Sequence, residues 1–354
     1  MRTWKVRRTL LKAALWVALA WVALASAGLA QAPLPFAQTI ARLSEPNGYF
    51  DTDNLISNES SYLQVIPELA KRNVRGGAYI GVGPDQNFSY IAATRPGVAF
   101  IIDIRRDNEL MHLLFKALFK ESRTRVEYLS LLVGRTPPAD TDTWRAASVE
   151  KIVKYVEGAK PTDAAALRAR IDRALHDTGV ALSDQDLTTI RGFHDQFISS
   201  GLALKFQSTG RPPQWSYPTY GDMLVDTDPS GKQSNFLGSE DSFQFVKELE
   251  GRDLVIPVVG DLSGPSALAG IGKLLASRNE RLTAFYASNV EFYLQRDGTF
   301  PQFIANLRKI PHAPNAVIIR SIFRFGGGSS GPAFRRPNDN SASQLQSIDE
   351  LIGR

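Results

Sequence analysis

Cysteine is absent from the 354 residues. That excludes disulfides, thiolate metal sites, a cysteine nucleophile and a lipobox lipid anchor. Histidine is scarce, with His112 in an apolar helical run, His176 and His194 in a helical stretch, and His312 in a loop. None is an evident base for Ser263, and Ser263 itself is not set in a Gly-x-Ser-x-Gly turn, so a serine hydrolase has little support there. Acidic residues are missing from the first 32 positions. Arg2, Lys5, Arg7, Arg8 and Lys12 account for five of the 41 basic residues, and the remaining 36 equal the 36 acids. The net charge of +5 therefore belongs to the N-terminal segment, and a nucleic-acid partner loses its electrostatic support.

Met1 to Ala32 has the form of an export signal: a basic start, an apolar run from Ala13 to Leu29, and small residues at Ala25-Ser26-Ala27 and Ala30-Gln31-Ala32. Val6 to Lys12 also resembles a twin-arginine signal, with Leu10 where Phe is preferred. The apolar run is near the minimum spanning length, so an uncleaved anchor is the other reading. The expectation is an exported, periplasmic protein, touching a membrane through this segment alone. With 43% apolar and 22% charged residues, its stability rests on a packed core.

Gly76 to Asn108 organises the rest. Ala78 to Val82 is apolar without alternation, as in a parallel strand covered on both faces. Gly83-Pro84 breaks it, Asp85-Gln86-Asn87 opens a helix, and Val98 to Ile102 is a second strand ending in Asp103, twenty positions after Gly83. This is the layout of a nucleotide-binding β-α-β unit. Helices are predicted from Ser60 or Ser61 to Lys71, over Asn108–Lys120 and over Arg125–Val133. A helical insertion follows over about 140–207, with starts at Thr162 and at Ser183 to Asp186. A long loop, 208–238, carries Trp215, Tyr217 and Tyr220 and suits a lid over the strand ends. Strands resume at Leu254–Val259, Leu282–Ala287 and Ala316–Phe323, and residues 326–354 read as a flexible polar tail. The α/β class follows: an open, mostly parallel, Rossmann-like sheet over 45–325, with a ligand at the carboxyl ends of its strands.

Gly48 to Leu63, Gly76 to Ala92, Phe100 to Asn108, Val258 to Leu268 and Phe285 to Leu294 together resemble the class I S-adenosylmethionine-dependent methyltransferases, and more closely an uncharacterised bacterial family placed near that fold. The resemblance implies a methyltransferase-like domain with Gly81, Gly83 and Asp103 holding S-adenosylmethionine and Asp103 on the ribose. It places Asp85 at the motif's third glycine and Tyr79 at its acidic position. Asn58, Glu59, Asp261 and Asn289 fall on the substrate side, and the position after the fourth strand is either Gly260-Asp261 or Ser288-Asn289. Asn-Pro-Pro-Tyr and Asp-Pro-Pro-Tyr are both missing. Two functions stay open: a methyltransferase of unknown substrate, or an exported binding or scaffolding protein on a degenerate methyltransferase fold. A small-molecule ligand is expected in either case.

Asp51, Asp53, Asn54, Asn58 and Glu59 have oxygen-ligand chemistry without the spacing of a calcium loop, so no metal is predicted. Asn289 and Glu291 form a polar pair at a strand end, open to acid–base work or to helix capping. Arg75, Arg105 and Arg106 are available to an acidic ligand or to solvent.

Overall fold

The computed structural model describes residues 34–52, 54–208, 211, 217–323, 333–334 and 341–353; the fold is taken from Phe36 onward. Among the described residues seven strands form one sheet: β1 (Ala78–Val82), β2 (Val98–Asp103), β3 (Val255–Val259), β4 (Leu282–Ser288), β5 (His312–Phe323), β6 (Ala333–Phe334) and β7 (Ser341–Ser347). Their order is β3-β2-β1-β4-β5-β7-β6. β1 to β5 are parallel, and β7 runs antiparallel to both β5 and β6. Every residue of β1 and β3 is buried, as is β2 up to Asp103. Their continuous apolar runs thus meet the demand of a sheet covered on both faces.

The sheet grows from β1 through β2 to β3 on one side and from β4 to β5 on the other. The two directions part between β1 and β4, which opens a crevice at their carboxyl ends. Gln86–Thr94 follows β1, and Arg106–Glu121 follows β2. The second of these is buried nearly all round because the sheet lies against one flank and helices Ala164–His176 and Asp184–Ser200 against the other. Ser183 and Asp186 close a reciprocal capping box at the start of the last helix. At the preceding helix the cap is Asp163, one residue beyond the expected Thr162, because its carboxylate reaches the N–H groups of Ala165 and Ala166.

Two expectations need correction. The 208–238 stretch contains a short helix, Tyr220–Val225, capped by Thr219 with Asp222. Tyr220 is buried, so it is no lid residue; Trp215 lies outside the described residues. The supposed tail supplies β7, which sits inside the sheet, and the helix Ile348–Ile352. β7 is polar, but Ser343, Gln344 and Leu345 are buried in it. Its polarity is tolerated because partners exist: Ser343 Oγ donates to the Ser61 carbonyl at 2.9 Å, and Gln346 Oε1 accepts from Arg320 at 2.7 Å. Among the described residues no helix is long and apolar enough to cross a membrane.

Candidate ligand site at the strand ends

A cavity of about 470 Å³ lies over the carboxyl ends of β1 to β4. Gly83, Asp103, Asp261, Ser288 and Asn289 border it, together with Asn58 and Gln86. The volume suits a small organic ligand. Because the order is β3-β2-β1-β4, Asp261 and Asn289 stand at opposite ends of this cavity, three strand spacings or about 14 Å apart. The fourth strand ends at Ser288 with Asn289 next, and Asp261 follows the third.

The turn after β1 is held from beneath. Asn87 Nδ2 donates to the carbonyls of Val82 at 2.9 Å and Pro84 at 2.7 Å, while its Oδ1 accepts from Tyr79 O–H at 2.8 Å. Gly81 is glycine because of this lock: a Cβ there would collide with Asn87 Oδ1 and with the Tyr79 ring. It does not border the cavity. Gly83 does border it, in a left-handed conformation with φ +83° that strains other residues. Its carbonyl accepts from His112 Nε2 at 2.9 Å. Burial pulls the His112 pKa down to about 4, so at neutral pH the ring is uncharged and Nε2–H is the donor.

The acidic candidates separate sharply. Asp103 borders the cavity, but Arg105 clamps it: Oδ1 accepts from the Arg105 backbone N–H at 2.9 Å and Nε at 3.2 Å, and Oδ2 accepts from Nη2 at 3.3 Å. Arg105 is itself buried, which corrects its reading as a solvated side chain. Asp85 does not border the cavity, and although it is the N-cap residue of Gln86–Thr94 its side chain makes no capping hydrogen bond. Its carboxylate turns inward to accept from Tyr220 O–H at 2.6 Å, and burial pushes its pKa up to about 6. Asp261 Oδ1 takes the Ser263 N–H and O–H, both at 2.8 Å, so Ser263 serves a turn and caps no helix.

Glu59, 3% exposed, accepts from Tyr286 O–H at 2.7 Å and from Ser288 Oγ. Asn58 borders the cavity directly. Asn289 opens the helix Val290–Arg296 without a side-chain capping bond. Glu291 is committed to Arg320 at 2.5 Å, with burial raising its pKa. The oxygen-rich stretch does not converge on one point: Asp51 faces Arg211 at 3.6 Å, Glu59 points into the core, and Asp53 lies outside the described residues.

Sequence reasoning missed the parts played by His112 and above all Gln86, and it offered Arg105 to a ligand or to solvent where the structure commits it to Asp103. Each was hidden by its surroundings: His112 by an apolar helix, Arg105 by a charged run, Gln86 by a helix start. No curated protein matches this chain. Residues 54–190 and 204–342 match one family, described as a domain of unknown function, DUF7790. The match covers more than half of the sequence, and the chain belongs to that family.

Proposed function

We propose that the chain binds an adenosine-containing ligand of the S-adenosylmethionine type, as a methyltransferase-like protein of unassigned substrate. The observation that carries this reading is the gathering of Gly83, Asp103 and Ser288-Asn289 around one cavity at the point where the strand order reverses. The open, mostly parallel sheet, with β7 antiparallel between β5 and β6, is compatible with a Rossmann-like fold.

The residues present fit such a ligand with one reduction. A carboxylate has about four lone-pair sites. The Arg105 contacts use three of those on Asp103, so one ribose hydroxyl can be accepted. Gly83 lets a ligand lie against the turn. When bound, S-adenosylmethionine supplies an activated methyl group. Ser288 and Asn289 border the end of the cavity away from Asp261, and there they can orient an acceptor.

The Arg105 clamp also favours a second reading, a non-catalytic binding or scaffolding protein on the same fold. Calorimetry with S-adenosylmethionine and S-adenosylhomocysteine separates these readings from a wrong one. Micromolar binding supports the cofactor site, and methyl transfer to any acceptor would establish the enzyme. Absence of binding near a millimolar would sink the cofactor reading. We also propose export by the segment 1–32, which lies outside the described residues. Fractionation tests it: full-length chain with an intact N-terminus in the cytoplasmic fraction would overturn it.

A further inference from the structure

The end of the cavity at β4 has a polarity that its hydrogen bonds dictate. A carboxylate only accepts. Both Tyr286 O–H and Ser288 O–H donate to Glu59, at 2.7 Å for the tyrosine. The Tyr286 oxygen, its proton committed, is left to accept, and Gln86 Nε2 donates to it at 3.1 Å. The direction of the whole chain is thereby set, and it leaves the Gln86 amide oxygen facing away from Tyr286. Gln86 is 4% exposed, it borders the cavity, and within the described residues its Oε1 has no hydrogen-bond partner. A buried acceptor without a partner is unfavourable, because its lost hydration is not made good. Ser288 borders the same space, again with its proton turned away and its lone pairs remaining. It holds a left-handed conformation, φ +50°, unusual for serine. Strain and an orphaned acceptor therefore meet at one corner of one cavity.

We propose that this corner is an acceptor subsite for a primary ammonium group, recognised by Gln86 Oε1 and Ser288 Oγ with the Glu59 charge behind them. The inference deepens the reading of the cavity as a ligand site and rests on it. The ammonium belongs either to the amino-acid head of the nucleoside ligand or to an amine substrate; the chemistry is shared, and the test separates the two. Glu59 is a positioning residue here. In Glu59→Gln the new amide can donate to Tyr286, whose proton then turns toward Gln86, and the Gln86 amide can turn over to accept it through Oε1, which leaves Nε2 in the place of the free acceptor. The subsite is cancelled without a change in any residue that borders the cavity.

The experiment is calorimetry at neutral pH on the full chain, on Glu59→Gln and on Gln86→Leu, each checked for folding by thermal melting. Three probes are used: S-adenosylhomocysteine; 5′-methylthioadenosine, which lacks the amino-acid head; and benzylamine with methylthioadenosine present. A weakening of about tenfold or more for S-adenosylhomocysteine in both variants, with methylthioadenosine unchanged, supports the subsite and assigns it to the ligand's head group. The same weakening for benzylamine alone supports it and assigns it to a substrate amine. Equal affinity of every probe for parent and variants overturns it. If Glu59→Gln does not fold, Gln86→Leu decides alone. If neither nucleoside binds the parent, the adenosine reading fails and benzylamine by itself decides: saturable binding lost in Gln86→Leu supports the subsite, and its absence overturns it.

Discussion

Gly81 and Asp85 show how a motif position can keep its place in the chain and change its work. Gly81 stands where a ligand-approach glycine is expected, yet it makes room for the bond between Asn87 and Tyr79. Gly81→Ala should therefore cost about 1–3 kcal/mol of stability through overpacking, with no ligand present. An unchanged melting temperature would return Gly81 to a ligand role. Asp85 is buried beside Tyr220, with Tyr62 and Tyr128 near enough to feel its charge and no cation among the groups that shift it. Burial raises its pKa from 3.8 to about 6, so between those values the folded state keeps a proton that the unfolded chain has released. Its contribution to stability is therefore greatest at low pH and falls as pH rises through that window. Asp85→Asn should gain on the parent between pH 5 and pH 8 by on the order of 1–3 kcal/mol. Denaturant melts at the two pH values give the comparison, and a pH-independent difference would contradict the assignment.

At the scale of elements, β1, β2 and β3 were legible because burial on both faces demands uninterrupted apolar runs, and such runs are visible in one dimension. β5 was legible from Ala316 to Phe323, with Arg320 interrupting its apolar run, whereas His312 to Asn315, half-buried or exposed, carry no such run. The structure explains the interruption: the guanidinium pairs with Glu291 at 2.5 Å and donates to Gln346 on β7 at 2.7 Å. It joins the helix after β4 to the strand beyond β5. Arg320→Met should cost about 3–5 kcal/mol, because it strands a buried carboxylate. Glu291 already has a raised pKa and loses its cation in this variant, so the deficit should widen from pH 5 to pH 8. A double variant with Glu291→Leu should recover much of the loss. A deficit that stays the same at both pH values would show that the ion pair is not its source.

For the whole molecule, the decisive feature is where the chain returns to finish its sheet. A flexible tail can be removed without harm, whereas β7 covers the edge of β5 and joins β6 to it. A chain ending at residue 340 should expose that edge and either aggregate or lose cooperative unfolding. Soluble, cooperative behaviour equal to the full chain would refute the placement. The cavity belongs to this scale too, since it exists because four strand ends from distant parts of the sequence lie side by side.

The sequence alone determined the α/β class, the β-α-β unit around Gly83 and Asp103, and the exclusion of thiol chemistry. Each rests on local order or composition, which one dimension carries in full. Tertiary structure decided the rest. β7 is polar and acquires its place through partners on β5 and at Ser61, which no periodicity announces. Asp261 and Asn289, interchangeable on paper, were parted by strand order. The acceptor at Gln86 was decided furthest from the sequence, since its direction passes from Glu59 through Tyr286, over sequence separations of 227 and 200 residues. A hydrogen-bond chain has a direction only when its members are in contact, and folding is what brings them there.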